Sequence, residues 1–178
     1  TRDYHVKEYM MEIILRDDCP FVGQRIDEAG LLEMADVSIL GILRGDRSIL
    51  APEGYEVLET GDVLLLKGEV EGIQRLRQTS GVESKADVEL GDAALESESV
   101  KLVEVMVGPA SRFLSRSLKE IDFRRRYGLT ALALHRQGED VVEKVGKIPL
   151  KIGDVLLVQG PEGRLNDLRA AGNILVEI

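Results

Sequence analysis

The sequence GDVLL stands at positions 61–65 and again at positions 153–157, which is 92 residues later. Each copy places a glycine–aspartate turn before an apolar run, a pattern typical of a turn that leads into a buried strand. With the same shift of 92, the chain aligns to itself without a gap from about Glu12 to Val82. A chance match does not keep one register over such a length, so the sequence predicts a duplicated module.

Further identities and conservative pairs extend the repeat outward from GDVLL. Identical pairs at the same shift are Phe21 and Phe113, Glu28 and Glu120, Arg44 and Arg136, Leu58 and Leu150, and Gly68 and Gly160. Apolar character is kept where the residue changes, as in Ile26 and Leu118, Val37 and Leu129, and Val82 and Ile174. The two copies are therefore expected to share one fold.

Hydrophobic patterning predicts the order β-α-β-β-β-α-β in each copy. The predicted strands are 10–15, 37–43 and 63–66 in the first copy and 100–107, 129–135 and 155–158 in the second, with a short strand after each of the turns 45–46 and 137–138. The predicted helices are 26–34, 71–79, 114–126 and 162–171, and the closing strands are 174–178 and a weak counterpart at 82–86 or 88–90. We therefore predict an α+β fold of two tandem modules, each with a mixed or antiparallel sheet.

The domain organisation follows from a change in composition after the first copy. From 83 to 99 the chain is rich in Glu, Ser, Asp and Ala, which is typical of a linker. We predict a first module over 8–86, an acidic linker over 87–99 and a second module over 100–178. Because a module of this size buries only about 60% of its unfolded surface, we expect it to pack against its twin or a second chain. The chain begins at Thr1, so we expect it to be part of a longer protein.

Composition excludes several classes of partner. The net charge of −9 repels phosphate backbones, so no nucleic acid is expected as a partner. The absence of tryptophan argues against aromatic platforms for single strands. No apolar run reaches the roughly 18–20 residues of a membrane span. One cysteine, Cys19, cannot form an internal disulfide, which fits a reducing compartment.

The sequence offers no catalytic or metal-binding constellation. The two histidines are His5 and His135, and the position equivalent to His135 in the first copy is Leu43. A strand-end histidine at the surface or an interface is favoured over a catalytic base for His135. No Cys/His cluster has zinc spacing, and acidic pairs such as 17–18 fall in turns. We predict no enzymatic activity, no metal site and no cofactor.

The glycine-containing loops 68–72 and 160–163 each follow a strand and open a helix, where phosphates are often bound. Neither loop has a dinucleotide-binding or P-loop spacing. Acidic residues at 69, 71 and 162 occupy the first helical turns and repel phosphate. Tight turns are therefore favoured over phosphate sites.

Arginines are the remaining candidates for a ligand or interface site. Arg124, Arg125 and Arg126 close a predicted helix, where cations complement the negative helix end, although an anion contact is the alternative. Arg44 and Arg136 occupy equivalent positions just past the second strand of each copy. They either clamp a ligand with two-fold symmetry or form salt bridges across an interface, and salt bridges are favoured. The candidate ligand or interface residues are Arg44, Arg136, His135, Arg124 and Arg126.

Each copy resembles the TrkA C-terminal domain, which is also called the C-terminal lobe of the RCK domain. The resemblance rests on Phe-x-x-x-x-(Ile/Leu)-x-Glu, a strand ending in Arg before a glycine turn, and Gly-Asp-Val-Leu-Leu-x-x-Gly before a short helix. The stretches 123–129 and 135–139 are similar to the tandem copies in sodium-coupled permeases for divalent anions such as citrate and sulfate. The N-terminal nucleotide-binding lobe is absent here, so NAD or ATP binding is not implied.

The resemblance implies a cytosolic regulatory, ligand-sensing and dimerisation module of a membrane ion or solute transporter, either a cation (potassium) or a divalent-anion permease. It implies a location at the cytoplasmic face of the membrane, with the transmembrane segments of the parent transporter as partners. It also implies a homodimer and a small-molecule effector, for which the family includes cyclic dinucleotides and ions. The alternative is a purely structural dimerisation scaffold without a ligand.

Overall fold

Each copy of the repeat folds around an antiparallel β-sheet. The computed structural model describes residues 7–84, 100–170 and 176–177. The chain divides into two units, residues 1–84 and residues 85–178, and each unit holds one copy. The linker predicted at 87–99 lies outside the described residues. The predicted α+β class is confirmed, and the sheets are antiparallel rather than mixed.

The first unit has the predicted order β-α-β-β-β-α-β. Its elements are β1 (Tyr9–Leu15), α1 (Leu31–Ala35), β2 (Val37–Arg44), β3 (Arg47–Leu50), β4 (Val63–Gly68), α2 (Val70–Arg77) and β5 (Val82–Glu83). The strands lie in the order β3-β2-β4-β1, and β5 pairs with the end of β1. The first GDVLL stretch thus supplies the central strand β4, whose Leu64, Leu65 and Leu66 are buried.

The second unit repeats this sheet with different connections. Its elements are β6 (Val100–Met106), α3 (Leu118–Ile121), α4 (Phe123–Tyr127), β7 (Thr130–His135), a 3₁₀-helix (Val145–Lys147), β8 (Val155–Pro161), α5 (Glu162–Ala170) and β9 (Val176–Glu177). The strands lie in the order β7-β8-β6-β9, so the second GDVLL stretch again forms a central strand. A register shift occurs at the same repeat position in both units, between Ile39 and Gly41 in β2 and between Ala131 and Ala133 in β7. A shared bulge of this kind is expected of a duplicated module.

The glycine of each GDVLL stretch explains the sharp turn before the central strand. Its φ is 87° at Gly61 and 89° at Gly153, a conformation that other residues rarely adopt. The N–H of Gly61 donates to the carbonyl of Leu15 at 2.7 Å, and the N–H of Gly153 donates to the carbonyl of Val107 at 2.8 Å. The turn therefore ties the start of the central strand to the end of the first strand in both units.

The connections after the first strands are less helical than predicted. The helix predicted over 26–34 forms only in α1, because Gly30 has a φ of 74° that interrupts helical geometry. The helix predicted over 114–126 is two short helices, because Asp122 is left-handed with a φ of 58°. The first of these, α3, is capped by Ser117, whose hydroxyl accepts from the N–H of Glu120 in a capping box.

The short strand predicted after 137–138 is wrong. The described segment 136–154 contains the 3₁₀-helix Val145–Lys147 as its regular element and no strand. The positions equivalent to β3 are 139–142, which begin with Glu139 and Asp140. Carboxylates of this kind have low strand propensity, which accounts for the loss of the edge strand.

The closing strands are present but short. The first is β5, and the alternative predicted at 88–90 lies outside the described residues. The second is β9, which falls inside the predicted strand 174–178. Residues 171–175 and 178 lie outside the described part of the chain. Across the described ranges, no helix is both long enough and apolar enough to cross a lipid bilayer.

Alanine at Gly72 is expected to destabilise the first unit by about 1–3 kcal/mol. A Cβ at Gly72 would lie 1.9 Å from the carbonyl oxygen of Ala35, so α2 could not keep its close approach to α1. Denaturant unfolding of Gly72→Ala measures the loss. The matched control is Gly163→Ala in the first turn of α5, where a Cβ meets nothing within 4 Å. That variant should gain up to about 1 kcal/mol, and equal losses in the two variants would contradict the close-contact explanation.

Candidate functional site

Arg44 lies at the end of β2, beside the start of the central strand β4. Its Nε and Nη2 donate to the two carboxylate oxygens of Asp62, each at 2.8 Å. Asp62 is only 1% exposed, and it also accepts from the N–H of Glu59 at 2.9 Å. Nη2 of Arg44 donates further to the carbonyl of Val57 at 2.9 Å. The bidentate pair therefore joins β2, β4 and the loop that precedes β4.

Arg136 makes the same set of contacts in the second unit. Its Nε and Nη2 donate to the carboxylate of Asp154 at 2.8 Å and 2.7 Å. Nη2 also donates to the carbonyl of Pro149 at 2.9 Å, and Asp154 accepts from the N–H of Lys151 at 2.8 Å. Each partner lies 92 positions after its counterpart in the first unit. The repeat therefore preserves a complete hydrogen-bonded centre as well as the strands around it.

The two guanidinium groups are fixed and fully charged. Hydrogen bonding to Asp62 raises the pKa of Arg44, and hydrogen bonding to Asp154 raises the pKa of Arg136. Arg44 also contacts Glu56 at 3.2 Å. The sequence favours salt bridges across an interface for these arginines, whereas the ion pairs that the structure describes lie inside each unit. Their role toward a ligand or an interface stays a prediction.

The sequence reasoning missed the aspartate partners, although a signal was present. Arg44 precedes Asp62 by 18 residues, and Arg136 precedes Asp154 by the same 18 residues. A basic and an acidic residue that recur at one spacing in both copies of a repeat are candidates for a pair. The aspartates were instead assigned to a turn, and their burial became evident only from the antiparallel pairing of the strands.

The three arginines of α4 have a different setting. Arg124, Arg125 and Arg126 are all exposed, and the Nε of Arg125 is hydrogen-bonded to the carboxylate of Asp122. Gly128 ends α4 with a φ of 66°, and its N–H donates to the carbonyl of Arg124 at 2.8 Å. These side chains therefore stand at the negative end of a short helix, as the sequence predicts, and two of them are candidate ligand residues.

The remaining candidates are spread over the units. His135 is half-buried at the last position of β7, opposite Val155 of β8. His5 lies outside the described residues. Burial raises the pKa of the Cys19 thiol, which favours an unreactive sulfur. In the part of the chain that the structure describes, no group of three or more metal-binding side chains comes together.

The glycines that begin the loops 68–72 and 160–163 have a packing role. A Cβ at Gly68 would lie 2.6 Å from Cγ1 of Val37, and a Cβ at Gly160 would lie 2.4 Å from Cδ2 of Leu129. In both units the glycine therefore lets the central strand approach the start of the second strand. This agrees with the preference for structural turns over phosphate sites.

Comparison with known proteins finds related sequences over most of the chain. The TrkA-C domain family matches residues 10–81 and 102–171. An uncharacterized transporter from Synechocystis is 33% identical over 98% of this chain and 29% of its own length. The uncharacterized transporter YfbS from Escherichia coli is 29% identical over 89% and 27%. The sodium/sulfate cotransporter 2 from Chlamydomonas reinhardtii is 24% identical over 86% and 19%. The chain thus spans less than a third of the length of these relatives.

Proposed function

Because this chain belongs to the TrkA-C domain family and carries two copies of that domain, we propose that it is the regulatory module of a membrane ion or solute transporter. The observation that carries the proposal is its relation to a segment of much longer transporters. The transported solute is proposed to be a divalent anion or a cation such as potassium, and a sodium/sulfate cotransporter among the relatives supports the anion. The module is proposed to lie at the cytoplasmic face of the membrane, beside the transporter's transmembrane segments.

The proposed mechanism is a homodimer whose arrangement changes when a small effector binds. An effector can shift such an equilibrium only if it binds the two arrangements unequally. The proposed domain boundaries are 8–86 and 100–178, with 87–99 as an acidic linker. The family and the transporter relatives support a regulatory role rather than an enzymatic one.

The effector is proposed to be an anion that contacts the second unit. Arg124 and Arg126 are exposed on α4, which leads into the start of β7. His135 lies at the opposite end of β7 and is proposed as a separate contact with a ligand or an interface. Arg44 and Arg136 are proposed to have a supporting role, because their guanidinium groups already bind buried carboxylates. They hold the loops before the central strands rather than offering donors to a ligand.

A second candidate function is a dimerisation scaffold without an effector. The guanidinium groups of Arg44 and Arg136 already donate to carboxylates inside their own units, which favours the scaffold. These duplicated arginines were the strongest candidates for a symmetric ligand clamp. The two functions differ in one measurable property, which is stabilisation by a small molecule.

A thermal-shift screen of the 178-residue chain tests the effector. The panel is cyclic dinucleotides, ATP, NAD, citrate, sulfate and divalent cations. A ligand at about 100 times its Kd is expected to stabilise the folded chain by about 2.7 kcal/mol. For a chain of this size that is a rise in Tm of roughly 5–10 °C.

Two variants connect a hit to the proposed contacts. Arg126→Ala should remove the shift, because the anion loses a charged donor. Arg47→Ala, which removes an exposed cation from β3 in the first unit, should leave it unchanged. If no compound of the panel raises the Tm and light scattering shows a stable dimer, the scaffold is favoured. A monomer whose Tm no compound raises would contradict both functions.

A further inference from the structure

The segments 16–36 and 108–128 are equivalent parts of the two repeats, but they carry opposite charge. Each connects the first strand of its unit to the second. The first segment has six carboxylates and two cations, and the second has six cations and two carboxylates. The carboxylates of the first are Asp17, Asp18, Asp27, Glu28, Glu33 and Asp36, which we name the acidic face. The cations of the second are Arg112, Arg116, Lys119, Arg124, Arg125 and Arg126, which we name the basic face.

All twelve side chains of the two faces are exposed. The helices that close the two units do not contribute to the difference, because 69–79 and 161–171 each contain two acidic and two basic residues. The opposite charges therefore belong to the equivalent connections themselves. At two repeat positions the charge is directly reversed. Asp27 aligns with Lys119, and Glu33 aligns with Arg125.

Much of this charge is not neutralised inside its own unit. Among the described residues, Asp17, Glu33 and Asp36 have no cationic partner. Likewise Arg112, Arg116, Lys119 and Arg126 have no carboxylate partner there. Pairs inside a unit include Arg25 with Asp27 at 2.7 Å and with Glu28 at 3.9 Å, and Arg125 with Asp122. Unpaired charges of one sign on each face leave both faces available to a partner of the opposite sign.

We propose that the acidic face of one copy of this chain docks on the basic face of a second copy. The proposal rests on the homodimer of the proposed function and specifies which surfaces meet. In a dimer with a two-fold axis the same contact forms twice, since each copy supplies one face of each kind. Pairing of first unit with first unit, or of second with second, would bring like charges together. Charge complementarity therefore selects unlike units as partners.

A second copy is a better occupant than an anionic membrane or a nucleic acid. Either polyanion would use the basic face and leave the acidic face without a role. Either would also be repelled by the rest of a chain whose net charge is −9. A second copy satisfies both faces, and the two segments match in magnitude, at −4 and +4.

Charge reversal on one face at a time tests the proposal. The acid-reversed chain carries Asp17→Lys and Glu33→Lys, and the base-reversed chain carries Arg116→Glu and Lys119→Glu. Sedimentation equilibrium at low salt should show a dimer Kd about tenfold or more larger for each reversed chain than for the wild type. The reason is that the net charge of each altered segment changes from −4 or +4 to zero, so both contacts of the homodimer lose their charge complementarity.

Mixing the two reversed chains in equal amounts is the decisive step. In the mixed dimer one contact joins two unaltered faces, and the other places the introduced lysines opposite the introduced glutamates, so mixing should restore dimerisation. This rescue also shows that the variants are folded, and their Tm values provide a second check. The wild-type dimer should weaken as salt rises from 0.1 M to 1 M, because the screening length falls from about 10 Å to about 3 Å.

The outcomes separate this inference from the proposed function. A dimer Kd that changes neither with the two charge reversals nor with salt would overturn the pairing of the acidic and basic faces. The homodimer of the proposed function would then still stand. A wild-type chain that stays monomeric would overturn both. Binding of the wild type to vesicles rich in phosphatidylserine, lost in the base-reversed chain whose dimer is unchanged, would assign the basic face to the membrane and overturn the inference.

Discussion

Replacing Arg136 with alanine is expected to lower the free energy of unfolding of the second unit by about 3–5 kcal/mol. The side chain of Arg136 is 9% exposed and that of its partner Asp154 is 1% exposed. Without the guanidinium group, the Asp154 carboxylate stays buried with the N–H of Lys151 as its remaining hydrogen-bond donor of those the structure describes. A buried charge that loses its counterion is much more costly than the pair was worth.

Urea unfolding and amide hydrogen exchange in β7 and β8 measure this loss. Arg126→Ala is the matched control, since it removes an exposed arginine from the same unit and should change stability by less than about 0.5 kcal/mol. The double variant Arg136→Met with Asp154→Leu should be far less destabilised than Arg136→Ala, because it removes both charges together. A double variant as unstable as the single one would assign the effect to lost packing instead.

The equivalent variant in the first unit should have a smaller effect. The side chain of Arg44 is 17% exposed, so water reaches its site more easily after Arg44→Ala.

The two arginine–aspartate pairs explain why glycine, aspartate and the following strand recur as a block. Glycine makes the turn, aspartate closes it against the second strand, and the apolar residues fill the core.

The sequence was sufficient for the strands and their order because burial imposes strong apolar patterns. The predicted strand at 63–66 lies inside β4, and the strand at 129–135 nearly coincides with β7. The sequence left the sheet as mixed or antiparallel, because the central strand β4 pairs with β1 and β2, which are not its neighbours in the chain. These elements depend on apolar runs and on glycine turns, both of which can be recognised in the amino-acid sequence.

The sequence was insufficient where single backbone angles decide the structure. Asp122 breaks a helix that spacing alone predicts to be continuous, and nothing in its residue type demands a left-handed conformation. The strand predicted after 137–138 is lost for a different reason, which is the low strand propensity of Glu139 and Asp140. The register of a repeat does not report such local differences between its copies.

The sequence identified the residues of the candidate site, but it did not predict what their side chains contact. Arg44 and Arg136 were identified from their equivalence, yet their bidentate partners required knowledge of strand pairing. The charges of the acidic and basic faces are present in the sequence, but their exposure is a structural fact. The sequence thus indicates which side chains matter, and the fold decides whether they face inward or outward.

Replacing Phe113 with alanine is the other change with a large expected effect, about 3–5 kcal/mol of lost stability in the second unit. Phe113 is buried, and its ring makes edge contacts with Phe123 at 6.0 Å and with Tyr127 at 5.6 Å between centroids. The ring therefore anchors α4, which carries part of the basic face, to the core. The loss includes the cavity and two aromatic contacts worth about 0.5–1.5 kcal/mol each.

The matched control for Phe113→Ala is Phe21→Ala at the equivalent position of the first unit. Phe21 is also buried, but in the described residues it has no aromatic neighbour. Urea unfolding should therefore show a smaller loss for Phe21→Ala, by about 1–3 kcal/mol. Hydrogen exchange should show earlier opening of α4 in Phe113→Ala, with dimer affinity falling alongside. Equal losses in the two variants would mean that the aromatic cluster adds nothing beyond burial, and that α4 is held in place by its connections to α3 and β7.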